Sequence, residues 1–152
     1  MYQFLLHFHS INRWAVLLLA LIVLFRSYSG WKGKKAYTKN DNIFHAIFIG
    51  LVHLQLLSGL LLYFVYSPVT QQAMSDFGAS MKDKSLRFWA VEHFIGMLIG
   101  TGIAQAGRIA SKKAFSSELK HKKAFIYTLI AVIIILLVIP FGLFNEARPM
   151  WR

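Results

Sequence analysis

Residues 43–66 read IFHAIFIGLVHLQLLSGLLLYFVY, without a single Asp, Glu, Lys or Arg. A helix of about 20 apolar residues crosses the hydrocarbon of a bilayer. Backbone polar groups cannot be left unpaired in lipid, so a helix is the predicted form. A transmembrane strand would alternate polar and apolar positions, and this run does not. Runs of similar length and apolarity recur at residues 4–25, 86–107 and 124–144. The expected architecture is all-α: a four-helix transmembrane bundle forming one domain over residues 1–152, with residues 67–85 as its largest outer loop.

The composition agrees. Of 152 residues, 57% are hydrophobic and 15% charged, against about 25% charged in soluble domains. One soluble core of this size could not hide so much apolar surface, and disorder is excluded by the same figures. The absence of cysteine excludes a disulfide scaffold, a zinc ribbon, a thiol nucleophile and covalent haem attachment. A net charge of +11 would suggest nucleic acid in a soluble protein, but its distribution says otherwise. Arg26, Lys32, Lys34, Lys35 and Lys39 surround the first connection; Arg108, Lys112, Lys113, Lys120, Lys122 and Lys123 surround the third. These are eleven of the seventeen basic residues. Arg13 lies inside the first span, and Lys82, Lys84, Arg87, Arg148 and Arg152 fall on the other side. The positive-inside rule then places connections one and three in the cytoplasm and both termini on the outer, periplasmic side. The surplus charge records orientation in a lipid bilayer, with anionic headgroups as natural contacts, and no nucleic-acid partner is expected. The segment before the first span has no Lys or Arg, and no cleavable signal peptide is predicted.

Ionisable groups at membrane depth are costly and mark candidate sites. The first span holds His7, His9, Asn12 and Arg13; the second His45, His53 and Gln55; the third Glu92, His93 and Gln105. At 100° per residue, His9, Asn12 and Arg13 share one side of their helix and His7 points away. His93 lies on a stripe with Gly96, Gly100, Ala104 and Gly107, while His53 lies above Gly50 and Ala46. Small residues beside both histidines predict a slot between the second and third spans. At about 1.5 Å per residue, His93 sits roughly 10 Å below the outer end of its span, His9 roughly 6–8 Å and His53 roughly 15–19 Å. His93 can therefore face either His9 or His53. His45 is expected at the interface, and His121 in a loop.

Histidines on facing helices beside glycine suit a non-covalent haem b, since imidazole is an axial ligand for haem iron and glycine lets a flat macrocycle approach the backbone. The candidate metal ligands are His53, His93 and His9. Arg13, Gly96 and Gly100 complete the candidate cofactor site. Arg13 is expected either to offset propionate charge or to pair with Glu92. A copper or iron site using the three histidines and Glu92 is an alternative, and the glycine stripe is equally a helix-packing seam. There is no phosphate-binding loop or zinc-binding H-E-x-x-H.

Several stretches carry a family resemblance: His9-Ser10 followed by Arg13-Trp14, YSGWKGKK at residues 28–35, TKND at 38–41, HLQLLSG at 53–59, and MKDK at 81–84 running on to Glu92-His93. With the lysine-flanked His121 and Pro140-Phe141, the chain resembles the small four-helix bacterial membrane proteins labelled cytochrome b. The resemblance spans nearly the whole chain. It implies a multi-pass protein of the bacterial inner membrane that carries electrons through haem. It favours His9, His53 and His93 without choosing the pair that binds one iron. A role beside quinone, as a subunit or partner of a larger membrane complex rather than a self-contained enzyme, is the expectation. The alternative is a cofactor-free accessory subunit of a membrane assembly.

Overall fold

The computed structural model describes residues 1–139 and is helical nearly throughout. The expectations resting on residues 140–152 lie outside the described residues: the end of the fourth span, Pro140-Phe141 and the tail charges Arg148 and Arg152. Helix α1 is Tyr2–Lys32, and α2 is Lys39–Leu61 with a π-helical turn, Leu62–Tyr66, at its end. Three short helices follow: α3 (Pro68–Ser75), α4 (Phe77–Ser80) and α5 (Lys84–Arg87). A second π turn, Phe88–Glu92, leads into α6 (His93–Lys112), and α7 is Ser117–Val138. Residues 67–85, expected as a loop, are thus largely helical. The helices also run past the predicted span ends into polar sequence, where Lys, Arg and Glu sustain a helix about as well as Leu does.

Local chemistry sets the helix starts. At α2 the Thr38 hydroxyl accepts from Asp41 N (3.3 Å) and Asp41 Oδ2 accepts from Thr38 N (2.8 Å), a reciprocal capping box. Ser67, Asp76, Asp83 and Ser116 cap α3, α4, α5 and α7 in the same way, each accepting from a backbone N–H three residues on. Asp41 also receives Arg26 at 2.8 Å, which ties the end of α1 to the start of α2.

Packing joins α1 to both α2 and α7, and α6 chiefly to α7; α2 and α6 touch least, so the ring of long helices is loosest there. The core is small and aliphatic: Val16, Ala20 and Val23 of α1 meet Phe48, Ile49 and Val52 of α2, with Ala104, Ala131 and Val132 completing it. The outside is as apolar as the inside, with Leu18, Leu21, Phe25, Leu57, Phe64, Ile99 and Ile133 all exposed. Among the described residues, three helices, Tyr2–Lys32, Lys39–Tyr66 and Ser117–Val138, are long and apolar enough to cross a membrane. The two basic connections meet at one end, where Tyr28 lies 5.3 Å from Phe125 and Tyr37 4.9 Å from His121, ring centroid to ring centroid.

The glycine stripe corrects one expectation. Gly96 and Gly100 do face a neighbour closely, but the neighbour is α7. A Cβ on Gly96 would strike Val138, and one on Gly100 would lie 2.8 Å from Ile135 Cγ1. Gly50, assigned to the opposite wall of the slot, looks out of the bundle with nothing within 4 Å of a Cβ. There is no slot of the predicted kind between the second and third spans, because the stripe is spent on the α6–α7 seam. Gly100→Leu is therefore expected to lower stability by about 1–3 kcal/mol through overpacking, and Gly50→Ala, in open space on a helix, to raise it by about 0.5–1 kcal/mol. Thermal unfolding of the purified variants in one detergent checks both.

Candidate functional site

Asn12, buried on α1, donates from Nδ2 to Gln55 Oε1 (2.7 Å) and to the Leu51 carbonyl (3.1 Å) of α2. Gln55 Nε2 returns a bond to the His9 carbonyl at 2.9 Å. These bonds lock one turn of α1 against one turn of α2 and fix where His9 stands. The His9 ring is then held by Ser58, whose Oγ lies 2.9 Å from Nδ1. Because the Ser58 hydroxyl donates its proton to the Gln55 carbonyl (3.0 Å), Nδ1 of His9 must be the donor.

His93 is set the same way from the other side of the bundle. It begins α6 directly after the second π turn, and its Nδ1 donates to the Val138 carbonyl at 2.8 Å. Both imidazoles therefore carry the proton on Nδ1 and leave Nε2 as a lone pair. Neither Nε2 has a hydrogen-bond partner among the described residues. The two rings stand with centroids 6.5 Å apart and planes at 65°. Two imidazoles on opposite sides of one metal, each about 2.0–2.1 Å from it, would also have centroids a little over 6 Å apart.

The space around them is a pair of adjoining cavities of about 660 and 900 Å³, counting the part open to the surface. Both are lined by His9, Arg13, Gln55, Gly59, Tyr63, His93 and Met97, and reach the rim where α2 and α6 separate. Gly59 admits the His9 ring: a Cβ there would lie 3.2 Å from His9 Cε1. Tyr63 and Phe94 stack at 4.3 Å on one wall. π turns recur at functional sites, and here both flank the cavity and are tied together. Tyr63 Oη donates to the Ala90 carbonyl (2.7 Å), and Thr70 Oγ1 donates to the Tyr63 carbonyl (2.8 Å).

Of the residues singled out in the sequence, the fold brings together His9, Arg13 and His93. His53 is not among them. It is exposed on the outer face of α2, with Nδ1 on its own helix at the Ile49 carbonyl (2.9 Å). Gly96 and Gly100 lie on the α7 seam and do not line the cavity. Glu92 is taken by Arg87 at 2.8 Å, so the expected Arg13–Glu92 pair is replaced by a local one. The Arg13 guanidinium lies 5.5 Å from the Trp14 ring centroid and within electrostatic reach of both site histidines. His7 points away, bonded to the Gln3 carbonyl. His45 and His121, expected at an interface and in a loop, are 1% and 2% exposed. Gln55, Ser58 and Gly59 are functional neighbours that helix phase alone did not single out; the run Gln55-Leu-Leu-Ser58-Gly59 held the signal.

No protein-family model matches the chain, and no curated protein or solved structure is significantly similar to it. No group of three or more His, Cys, Asp or Glu that could hold a metal ion occurs among the described residues. A naked copper or zinc ion would need such a set. A haem iron needs only axial ligands from the protein, and the paired Nε2 lone pairs of His9 and His93 fit that demand.

Removing Asn12 or Gln55 leaves its partner's polar groups buried and unpaired. Asn12→Ala and Gln55→Ala are each expected to cost about 1–3 kcal/mol. The double variant should cost less than the sum, since one bond serves both. A double-mutant cycle of unfolding in detergent measures the coupling, and simple additivity would contradict it.

Proposed function

We propose that this chain is a small integral membrane b-type cytochrome, binding one haem b non-covalently between His9 and His93 and transferring electrons. The observation that carries the reading is the matched pair of imidazoles: each donates Nδ1–H to a fixed acceptor, keeps Nε2 as a lone pair and lines the shared cavity. Bound haem would supply a one-electron iron couple, tuned by its ligands and their surroundings. The chain's own residues do the rest. Ser58 and the Val138 carbonyl orient the two rings, and hydrogen bonds of that kind raise ligand basicity. Arg13 brings positive charge to the same cavity and would offset the carboxylates that haem carries. Tyr63, Phe94 and Met97 give apolar walls that limit water.

The chain would cross the bacterial inner membrane four times, with the basic connections in the cytoplasm and the termini outside. With no large extramembrane domain among the described residues, it would work as a subunit or partner of a larger assembly, beside quinone or another redox protein. A second reading, a cofactor-free accessory subunit, draws support from one observation: Gly96 and Gly100 are spent on packing α6 to α7.

The visible spectrum separates the two. Protein purified after expression with ample haem should show a Soret band and a reduced α-band. Both should be lost in His9→Ala and His93→Ala and retained in His53→Ala and His7→Ala. A folded but colourless preparation overturns the cytochrome reading. Orientation has its own test, helped by the absence of native cysteine. An impermeant maleimide should label Ala79→Cys on intact cells, and Lys35→Cys only after permeabilisation. The reverse pattern would invert the topology.

A further inference from the structure

A second polar centre lies at the basic end of the bundle, away from the paired histidines. Five side-chain atoms there are buried without a hydrogen-bond partner: Tyr37 Oη, both ring nitrogens of His45, Arg108 Nη1 and His121 Nδ1. Buried polar groups are nearly always paired, and a cluster of orphans points to an occupant. The four residues form one group. Tyr37 packs against His121 with ring centroids 4.9 Å apart and planes tilted by 59°, and Arg108 is within electrostatic reach of both His45 and Tyr37. Tyr37 Oη lies beside Ser111 and Arg108 without completing a hydrogen bond to either.

The charge is unbalanced as well. Arg108 makes no ion pair among the described residues. Asp41, the acid that acts on Tyr37, is already held by Arg26 and by the Thr38 cap. The donors and acceptors narrow the choice. Arg108 and Tyr37 offer N–H and O–H, and burial pushes the Tyr37 phenol up, so it keeps its proton. His121 Nε2 donates to the Ala36 carbonyl at 3.4 Å, which leaves Nδ1 as an acceptor. Neutral His45 offers one donor and one acceptor. An occupant must therefore be anionic, accept several hydrogen bonds and still give one or two.

We infer that Tyr37, His45, Arg108 and His121 form a binding site for a small oxyanion that carries a proton, of the hydrogen-phosphate class. Sulfate has the size and charge but no proton at neutral pH. A lipid phosphodiester has none either. The site is independent of the haem reading, since none of its residues lines the His9–His93 cavities.

The test uses the full chain in phosphatidylcholine nanodiscs, following the thermal midpoint as inorganic phosphate is added, because a ligand that binds only the folded state raises it. Phosphate should raise the midpoint, and sulfate should do so far less. The apparent affinity for phosphate should fall at least about tenfold in R108Q, as loss of a charged hydrogen bond implies, and clearly in Y37F, with K82Q unchanged. Should R108Q not fold, Y37F and H121F carry the comparison. Absence of any phosphate effect, an equal effect in the variants, or an equal response to sulfate would each overturn the site. So would a rise produced by phosphatidylglycerol nanodiscs without phosphate, since the headgroup would then be the occupant.

Discussion

A helix bundle whose exterior is as apolar as its core depends on the partners that its buried polar groups find inside, since an unpaired buried polar group is costly. That constraint organises this molecule more than its aliphatic core does. The core is thin, built of Val, Ala and Ile around Phe48, and the same residue types cover the outside. What distinguishes one arrangement of the helices from another is where Asn12 and Gln55 find each other. Shifting α1 against α2 by a turn would leave the Asn12 and Gln55 side-chain amides and the His9 ring without these partners. The polar contacts therefore set the register, and the apolar ones fill in around it.

The same constraint explains the irregular backbone near the cavity. Two π turns release carbonyls from the helical ladder, and Tyr63, Thr70, Ser67 and Gln71 pick them up. Residues 67–85 fold into short capped helices over this rim, so the part of the chain outside the long helices serves the site. The polar groups separate into two poles with the aliphatic layer between them. One pole presents lone pairs from two neutral imidazoles, and the other presents an unbalanced guanidinium.

Much of this was legible in single helices. The shared face of His9, Asn12 and Arg13 follows from 100° per residue, and so does the opposed direction of His7. The stripe from His93 through Gly96 and Gly100 is real as a face. What one helix cannot reveal is which neighbour its face meets. The stripe meets α7 where the second span was expected, and His93 is anchored there through Val138. His53 sits on a face that the bundle leaves outside. Glu92 reached for Arg87, five residues away, since a local partner costs less ordering than a distant one. The burial of His45 and His121 was hidden because lysine-rich sequence around a helix end looks solvated, whereas α1, α2 and α7 converge there.

Sequence alone determined the helical class, the apolar spans, the concentration of basic charge at one end and the short list of polar residues inside. Those properties depend on composition and on the 3.6-residue period, which are local. Tertiary structure alone decided that His9 rather than His53 stands with His93, that the glycines serve packing, and that Tyr37, His45, Arg108 and His121 gather at the basic end with unpartnered buried atoms. Each of these depends on helix pairing and rotation, set by a few hydrogen bonds between residues 39 to 85 positions apart in the chain.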